Sequence, residues 1–281
     1  MAKKSSTSAA PNPLNQGALY LGDSASLFGS HRFTTGAVEV RSLRSPDKDT
    51  VNEDSAVVIP VSHDTLVLAV ADGVGGARAG REASNIAVTT LQDRLNAPGL
   101  KERGLRATVL DALEEANAAV MALNLGAATT LVVAEIFANE VRSYHVGDSE
   151  VLGVGQRGRL KLQVTPHSPT GFAVEAGILD ADEALHHVER HILSNVIGSE
   201  DMRIEVGTAV RLAQRDTVLL ASDGLLDNLR LDEMVEVIRK GPLAVAADRL
   251  VELAAQRMAG SDLGDPSKPD DLTIVLYRPV H

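Results

Sequence analysis

Residues 130–154 read TLVVAEIFANEVRSYHVGDSEVLGV. Three apolar, largely β-branched runs lie in this stretch, at 130–137, 141–146 and 151–154, and runs of that length and composition predict strands. Only Ala138-Asn139-Glu140 and Gly147-Asp148-Ser149-Glu150 separate them. Connections this short cannot carry a crossover, so the three strands must be antiparallel neighbours.

Outward from this meander, further strands are predicted at 37–40, 56–59, 65–71, 160–164, 217–221 and 272–277. Apolar residues at helical spacing recur over 83–95, 105–123 and 243–258. Strands grouped in meanders, with helices in blocks between them, predict an α+β fold of antiparallel sheet layered with helices instead of an alternating parallel βαβ sheet. The stretch 166–205 shows no clear period and is punctuated by Pro169, Gly171, Gly177 and Gly198, as expected of an irregular insertion beside a site.

The 281 residues, 44% hydrophobic, suffice for a full core, and no repeat divides them. The opening MAKKSSTSAAPNPLNQG is polar, rich in Ser, Ala and Pro, and free of acids, which predicts a mobile tail over residues 1–35 and one domain over 36–281. A net charge of −11 repels phosphate backbones and anionic headgroups, so neither nucleic acid nor a membrane is expected as a partner. The absence of Cys excludes a disulfide scaffold, Cys-ligated zinc, iron–sulfur clusters and a cysteine nucleophile. No apolar stretch reaches the ~20 residues of a spanning helix, and the first ten residues lack a secretory apolar core. A cytoplasmic protein is expected.

The chemistry is signalled by where the carboxylates fall. Asp72 follows VLAVA, Asp148 follows SYHVG, and Asp223 follows TVLLAS; Asp270-Asp271 precede LTIVLY, and Glu53-Asp54 precede SAVVIP. Singly, each is explained as a turn residue at a strand end. Jointly, if those ends converge, their repulsion calls for cations, and oxygen-only donors without Cys favour Mg²⁺ or Mn²⁺ over Zn²⁺. The loop Asp72-Gly73-Val74-Gly75-Gly76 can expose a carbonyl to such an ion. It lacks the Gly-Lys-Ser/Thr of a nucleoside triphosphate loop, and Arg78 stands where a dinucleotide loop needs its third glycine.

The ordered set Asn52-Glu53-Asp54, 70–76 (VADGVGG), Ala128-Thr129-Thr130, Gly147-Asp148-Ser149, 222–227 (SDGLLD) and 269–273 (PDDLT) resembles the metal-dependent protein phosphatases of type 2C, over about residues 36–278. The resemblance is to single-domain bacterial members. It implies a four-layer sandwich of two antiparallel sheets flanked by helices, with two Mn²⁺ or Mg²⁺ ions in a cleft at one edge. It further implies that Asp72 bridges the two ions, that Asp223 and Asp270 bind one, and that Glu53 and the Gly73 carbonyl bind the other. Asp148 with Asp223 would hold a possible third ion, and Asp54 would orient the attacking water. The implied substrates are phosphoserine and phosphothreonine proteins, with a Ser/Thr kinase as a possible partner. Attack by water activated between two cations needs no phospho-enzyme and agrees with the missing cysteine.

Two departures stand out. Many members carry an Arg four residues before the Glu, where this chain has Asp49, so Lys48 or Arg78 is expected to supply the phosphate-binding cation. Some members have a His after the Asp-Gly pair, where this chain has Val74. His167 is read as a surface-loop residue, and His187 and His191 as solvated or packing groups. Two alternatives stay open: a catalytically degenerate regulatory or binding module, and a phosphohydrolase for small molecules.

Overall fold

Alternation along the strands builds two sheets with a core on each side of both. The computed structural model describes residues 17–74, 77–98, 100, 104–260 and 264–279, leaving out the side chains of Ala77 and Arg78. With elements numbered in chain order, one sheet runs β1 (Ala18–Tyr20), β4 (Ser55–Ser62), β5 (Thr65–Ala71), β8 (Leu131–Phe137) and β9 (Glu140–Val146). The short β12 (Glu205–Val206) and β13 (Val210–Arg211) both pair with β9. The other sheet runs β11 (Leu160–Gln163), β10 (Glu150–Val154), β14 (Thr217–Ala221), β15 (Leu272–Pro279), β3 (Gly36–Leu43) and β2 (Ser26–Arg32). All these pairings are antiparallel, as is the small ribbon of β6 (Gly73–Val74) and β7 (Ala128–Thr129).

Every residue of β5 is buried, because its two faces serve different cores. Val67, Ala69 and Ala71 pack under α1 (Ala77–Asn96) and α2 (Leu105–Ala122), together with Leu91, Leu113 and Val120. Leu66, Leu68 and Val70 face the second sheet, meeting Val40, Val218, Val275 and Tyr277. The outer face of that sheet, with Leu219, Ile274 and Leu276, is covered by α5 (Asp223–Leu226), α6 (Leu231–Ile238) and α7 (Leu243–Met258). The layers are therefore helix, sheet, sheet, helix, as the α+β reading expects. Each fully buried Val or Leu contributes about 1.5–3 kcal/mol, so the inter-sheet core fixes the register.

The decisive stretch is corrected in part: β8 and β9 pair as the hairpin read from the sequence, but β10 is no neighbour of β9, because the turn at Gly147-Asp148-Ser149, with Gly147 at φ 103°, carries the chain across to the other sheet, where β10 pairs with β11 and β14. Ala138 (φ 48°) and Asn139 (φ 65°) both take left-handed conformations, which gives the two-residue hairpin a twist that matches its strands. The stretch 166–205 carries only α3 (Pro169–Glu175) and α4 (Ala181–Leu185) before β12.

The expected tail is corrected in part. Residues 18–20 and 26–32 are strands of the sandwich, and β2 pairs with β3 from Ser26↔Leu43 to Arg32↔Ala37. As an outermost strand, β2 alternates exposed and half-buried residues and spends Gly29 and Ser30 mid-strand, so its apolar signal is weak; Phe28 is 61% exposed. Tyr20 is buried, and its hydroxyl meets His31 Nε2 at 2.5 Å, joining β1 to β2. Residues 1–16 lie outside the described residues. No helix among the described residues is long and apolar enough to cross a membrane.

Candidate metal centre

Antiparallel pairing brings the marked strand ends to one edge. In the first sheet Ser55 pairs with Ala71, so the start of β4, after Glu53-Asp54, adjoins the end of β5, before Asp72. In the second, Ala221 pairs with Ile274, so Asp223 and Asp270-Asp271 share an end. Hydrogen bonds between the sheets set these ends together. Ser222 Oγ donates to Asp54 Oδ2 at 2.7 Å, and the Glu53 N–H donates to Asp271 Oδ2 at 2.8 Å. Asp271 also accepts from the Ser45 N–H at 2.7 Å and is 2% exposed, so this carboxylate is a tie between sheets.

The Ala128-Thr129-Thr130 and Gly147-Asp148-Ser149 motifs lace Asp72 in place. The Asp72 N–H donates to Thr130 Oγ1 at 3.1 Å, and the Asp72 carbonyl accepts from the Thr130 N–H and the Thr129 hydroxyl, both at 2.8 Å. Thr130 Oγ1 in turn meets Ser149 Oγ at 2.7 Å. Gly147 takes φ 103°, and a Cβ there would lie 2.6 Å from the Thr130 side chain, so only glycine lets this turn close over Thr130.

Glu53 and Gly73 converge over Gly80 in α1. A Cβ on Gly80 would stand 2.6 Å from Glu53 Oε1 and 2.8 Å from the Gly73 carbonyl oxygen. The missing side chain leaves a cradle in which a carboxylate and a carbonyl meet, as an oxygen-liganded cation requires. Sequence reading passed over Gly80. Its signal was a glycine inside a helix, where Ala is better by about 1 kcal/mol unless something needs the space.

Electrostatics divides the carboxylates. Burial pushes Asp54, Asp72 and Asp148 well above the ordinary carboxylate range, and their acidic neighbours push further: Asp271 and Asp223 on Asp54, Asp54 and Asp223 on Asp72, Asp223 and Asp227 on Asp148. Asp54 Oδ1 is buried without a hydrogen-bond partner. The remaining acids have lysines. Lys48 Nζ lies 2.9 Å from Glu53, 3.0 Å from Asp271 and 3.5 Å from Asp270. Lys268 Nζ contacts Asp223, lies 2.9 Å from Asp227 and 3.4 Å from Asp270. Burial works against both ammonium groups, but these partners hold both above the ordinary lysine value. An orphaned buried oxygen, the cradle over Gly80 and an excess of uncompensated carboxylates together fit a cluster of divalent cations.

The other expected residues fall as follows. Asp49 is exposed, whereas Lys48 beside it turns into the cluster. Gly75, Gly76 and the Arg78 side chain lie outside the described residues. His167 is not a surface-loop residue but 5% exposed. Its Nδ1 accepts from the Gly147 N–H at 3.1 Å and Asn195 Nδ2 at 2.9 Å, which leaves the proton on Nε2, 3.2 Å from Glu205. It braces the Asp148 turn from behind, a contact between segments 20 residues apart that local pattern does not announce. Lys268 likewise has no local signal, and Ser222 and Asp227 stand in the 222–227 motif without a role assigned from the sequence. A cavity of about 320 Å³ opens beside Asp148, Asp223 and Asp227, walled by the 166–205 segment, Glu150 and Met234. Burial raises the Glu150 carboxyl in its wall to about 7, with Asp227 adding to the effect.

The family model described as protein phosphatase 2C matches residues 45–258. The serine/threonine phosphatase stp of Listeria monocytogenes is 33% identical over 72% of this chain and 84% of its own length. Among solved structures, the Mycobacterium tuberculosis serine/threonine phosphatase PstP/Ppp superposes with a TM-score of 0.70 at 27% identity, covering 87% of this chain and 98% of that one. The PstP catalytic domain in complex with two manganese ions superposes with a TM-score of 0.69, again at 27% identity and with the same coverage. The match to the family model, the identity to stp and the shared sandwich, found independently of one another, agree: the chain belongs to the protein phosphatase 2C family.

Proposed function

We infer that this chain is a metal-dependent phosphatase that hydrolyses phosphoserine and phosphothreonine esters of proteins. The observation that carries the reading is the group of carboxylates without a direct lysine contact, buried Asp54 and half-buried Asp72 and Asp148, beside the Glu53–Gly73 cradle. Asp72 would ligate two Mn²⁺ or Mg²⁺ ions, Glu53 and the Gly73 carbonyl one of them, Asp223 and Asp270 the other. Asp148 with Asp223 would take a weaker third ion. When bound, the ions supply the positive charge that acidifies water and polarises phosphoryl oxygens.

The chain's own groups do the positioning. Ser222 fixes Asp54 through Oδ2, which leaves Oδ1 to accept a hydrogen bond from the attacking water and align it. Lys48, with no arginine at position 49, is the cation we assign to the phosphate, and Arg78 at the start of α1 is the second candidate. With its donors on Nδ1, His167 keeps the Gly147–Asp148 turn rigid. The reaction opposes that of a Ser/Thr kinase, which is the partner this reading expects, in the cytoplasm where such kinases act.

Purified protein should release phosphate from a phosphothreonine peptide in Mn²⁺ or Mg²⁺ and not in EDTA, with kcat/KM above that for para-nitrophenyl phosphate. Metal-dependent turnover of the small ester alone would favour a small-molecule phosphohydrolase. No turnover of either, with Mn²⁺ binding intact, would make the chain a regulatory module.

A further inference from the structure

Lys268 enters the carboxylate cluster from the segment between α7 and β15 and, like Lys48, reaches Asp270. Its backbone is clamped: the Lys268 N–H donates to Asn228 Oδ1 and its carbonyl accepts from Asn228 Nδ2, both at 2.8 Å, and Asn228 is fully buried. The side chain is thereby aimed at Asp223, Asp227 and Asp270 and is only 23% exposed. Two of those three acids are the pair assigned above to one ion. An ammonium group within hydrogen-bonding reach of Asp223 and 3.4 Å from Asp270 occupies the oxygens that a divalent cation would need, and the two like charges repel at close range. Lys48 differs, because Asp271, which serves as a tie between sheets, keeps it paired whatever happens to Glu53 and Asp270.

We propose that Lys268 is a built-in competitor of the metal ion at Asp223 and Asp270. The inference rests on the metal-dependent reading given above. In the metal-free chain the ammonium group neutralises these acids and keeps the edge of the sandwich together. Binding of the ion expels it toward Asp227 and the neighbouring cavity, so the lysine weakens metal affinity at this position and stabilises the metal-free protein. Mn²⁺ or Mg²⁺ supply thereby becomes a switch: the ion must be abundant enough to displace a tethered cation.

The test is a Mn²⁺ titration of chelator-stripped protein, read by calorimetry and by the electron paramagnetic resonance of free Mn²⁺, on wild type, Lys268→Gln and Lys268→Arg. Lys268→Gln should bind one Mn²⁺ at least about tenfold more tightly, while its metal-free form melts at a lower temperature and Lys268→Arg stays close to wild type. Equal or weaker Mn²⁺ binding by Lys268→Gln overturns the proposal and leaves the metal-dependent reading standing. If neither wild type nor variant binds Mn²⁺, that reading itself fails. Reductive methylation of wild type, read by mass spectrometry, needs no variant: Mn²⁺ should raise labelling of Lys268 several-fold over EDTA, and unchanged protection of Lys268 would contradict expulsion.

Discussion

The two halves of the carboxylate cluster solve the same problem differently. One set of acids, Glu53, Asp223, Asp227, Asp270 and Asp271, has an ammonium group from Lys48 or Lys268 within reach of each member. The other trio, Asp54, Asp72 and Asp148, is denied a direct lysine contact, and desolvation and acidic neighbours raise its pKa values. The protein thus neutralises one set with ammonium groups and leaves the other in deficit. A protein shaped for stability alone would pair these groups or replace them; a deficit kept where five strand ends converge is what a cation site requires.

The largest effect should come from the set without lysines. Asp72→Asn keeps the shape but removes a charge the ions need, so kcat for a phosphothreonine peptide should fall on the order of 10³-fold, the equivalent of about 4 kcal/mol of lost charge stabilisation. The same variant should melt higher than wild type in EDTA near neutral pH, because it removes a half-buried carboxyl among other acids that resists ionisation. A lower melting temperature in EDTA would mean that Asp72 is already compensated. Gly80→Ala probes the cradle: a methyl group 2.6 Å from Glu53 Oε1 should cut Mn²⁺ affinity by about 10- to 100-fold in calorimetry, an effect of the size seen when the support of metal ligands is disturbed.

Among the lysine-paired groups the effects shrink. Lys48→Ala should raise KM for the phosphopeptide by about tenfold with a smaller change in kcat, the value of one charge-assisted hydrogen bond. Unchanged KM would hand the phosphate to Arg78, which Arg78→Ala tests in the same assay. The smallest effect is on thermal stability against pH. An acid whose folded-state pKa is raised contributes stability fully below its unfolded value, about 4, and loses it as pH climbs through the folded one. Asp54, Asp72 and Asp148 are all raised, so in EDTA the melting temperature should drop as pH rises above about 4, and saturating Mn²⁺ should flatten or reverse that slope.

How much of this was legible in the sequence follows the range of the interactions involved. Strands such as 65–71 and the hairpin at Ala138-Asn139 announce themselves through neighbours in the chain, and the acids at their ends can be marked without knowing the fold. β2 escaped because an outermost strand buries only one face, and its Gly29 and Ser30 dilute what apolar signal remains. Lys268 and Gly80 escaped for another reason. Nothing in their local sequence tells that one reaches Asp223, 45 residues away, or that the other leaves room for Glu53; these are consequences of register between sheets. His167 was misread because burial of a loop residue depends on what closes over it, here Asn195 and the Gly147 turn.

Crystals grown with Mn²⁺ and measured at the manganese absorption edge would show whether the carboxylates Asp54, Asp72 and Asp148 mark a divalent-cation site. Two strong anomalous peaks should share Asp72, one also touching Glu53 and the Gly73 carbonyl and the other Asp223 and Asp270, with Lys268 turned away. No peak at Asp72, or manganese found instead at the only His-rich donor group among the described residues, His145, His167 and Glu205, would contradict this assignment.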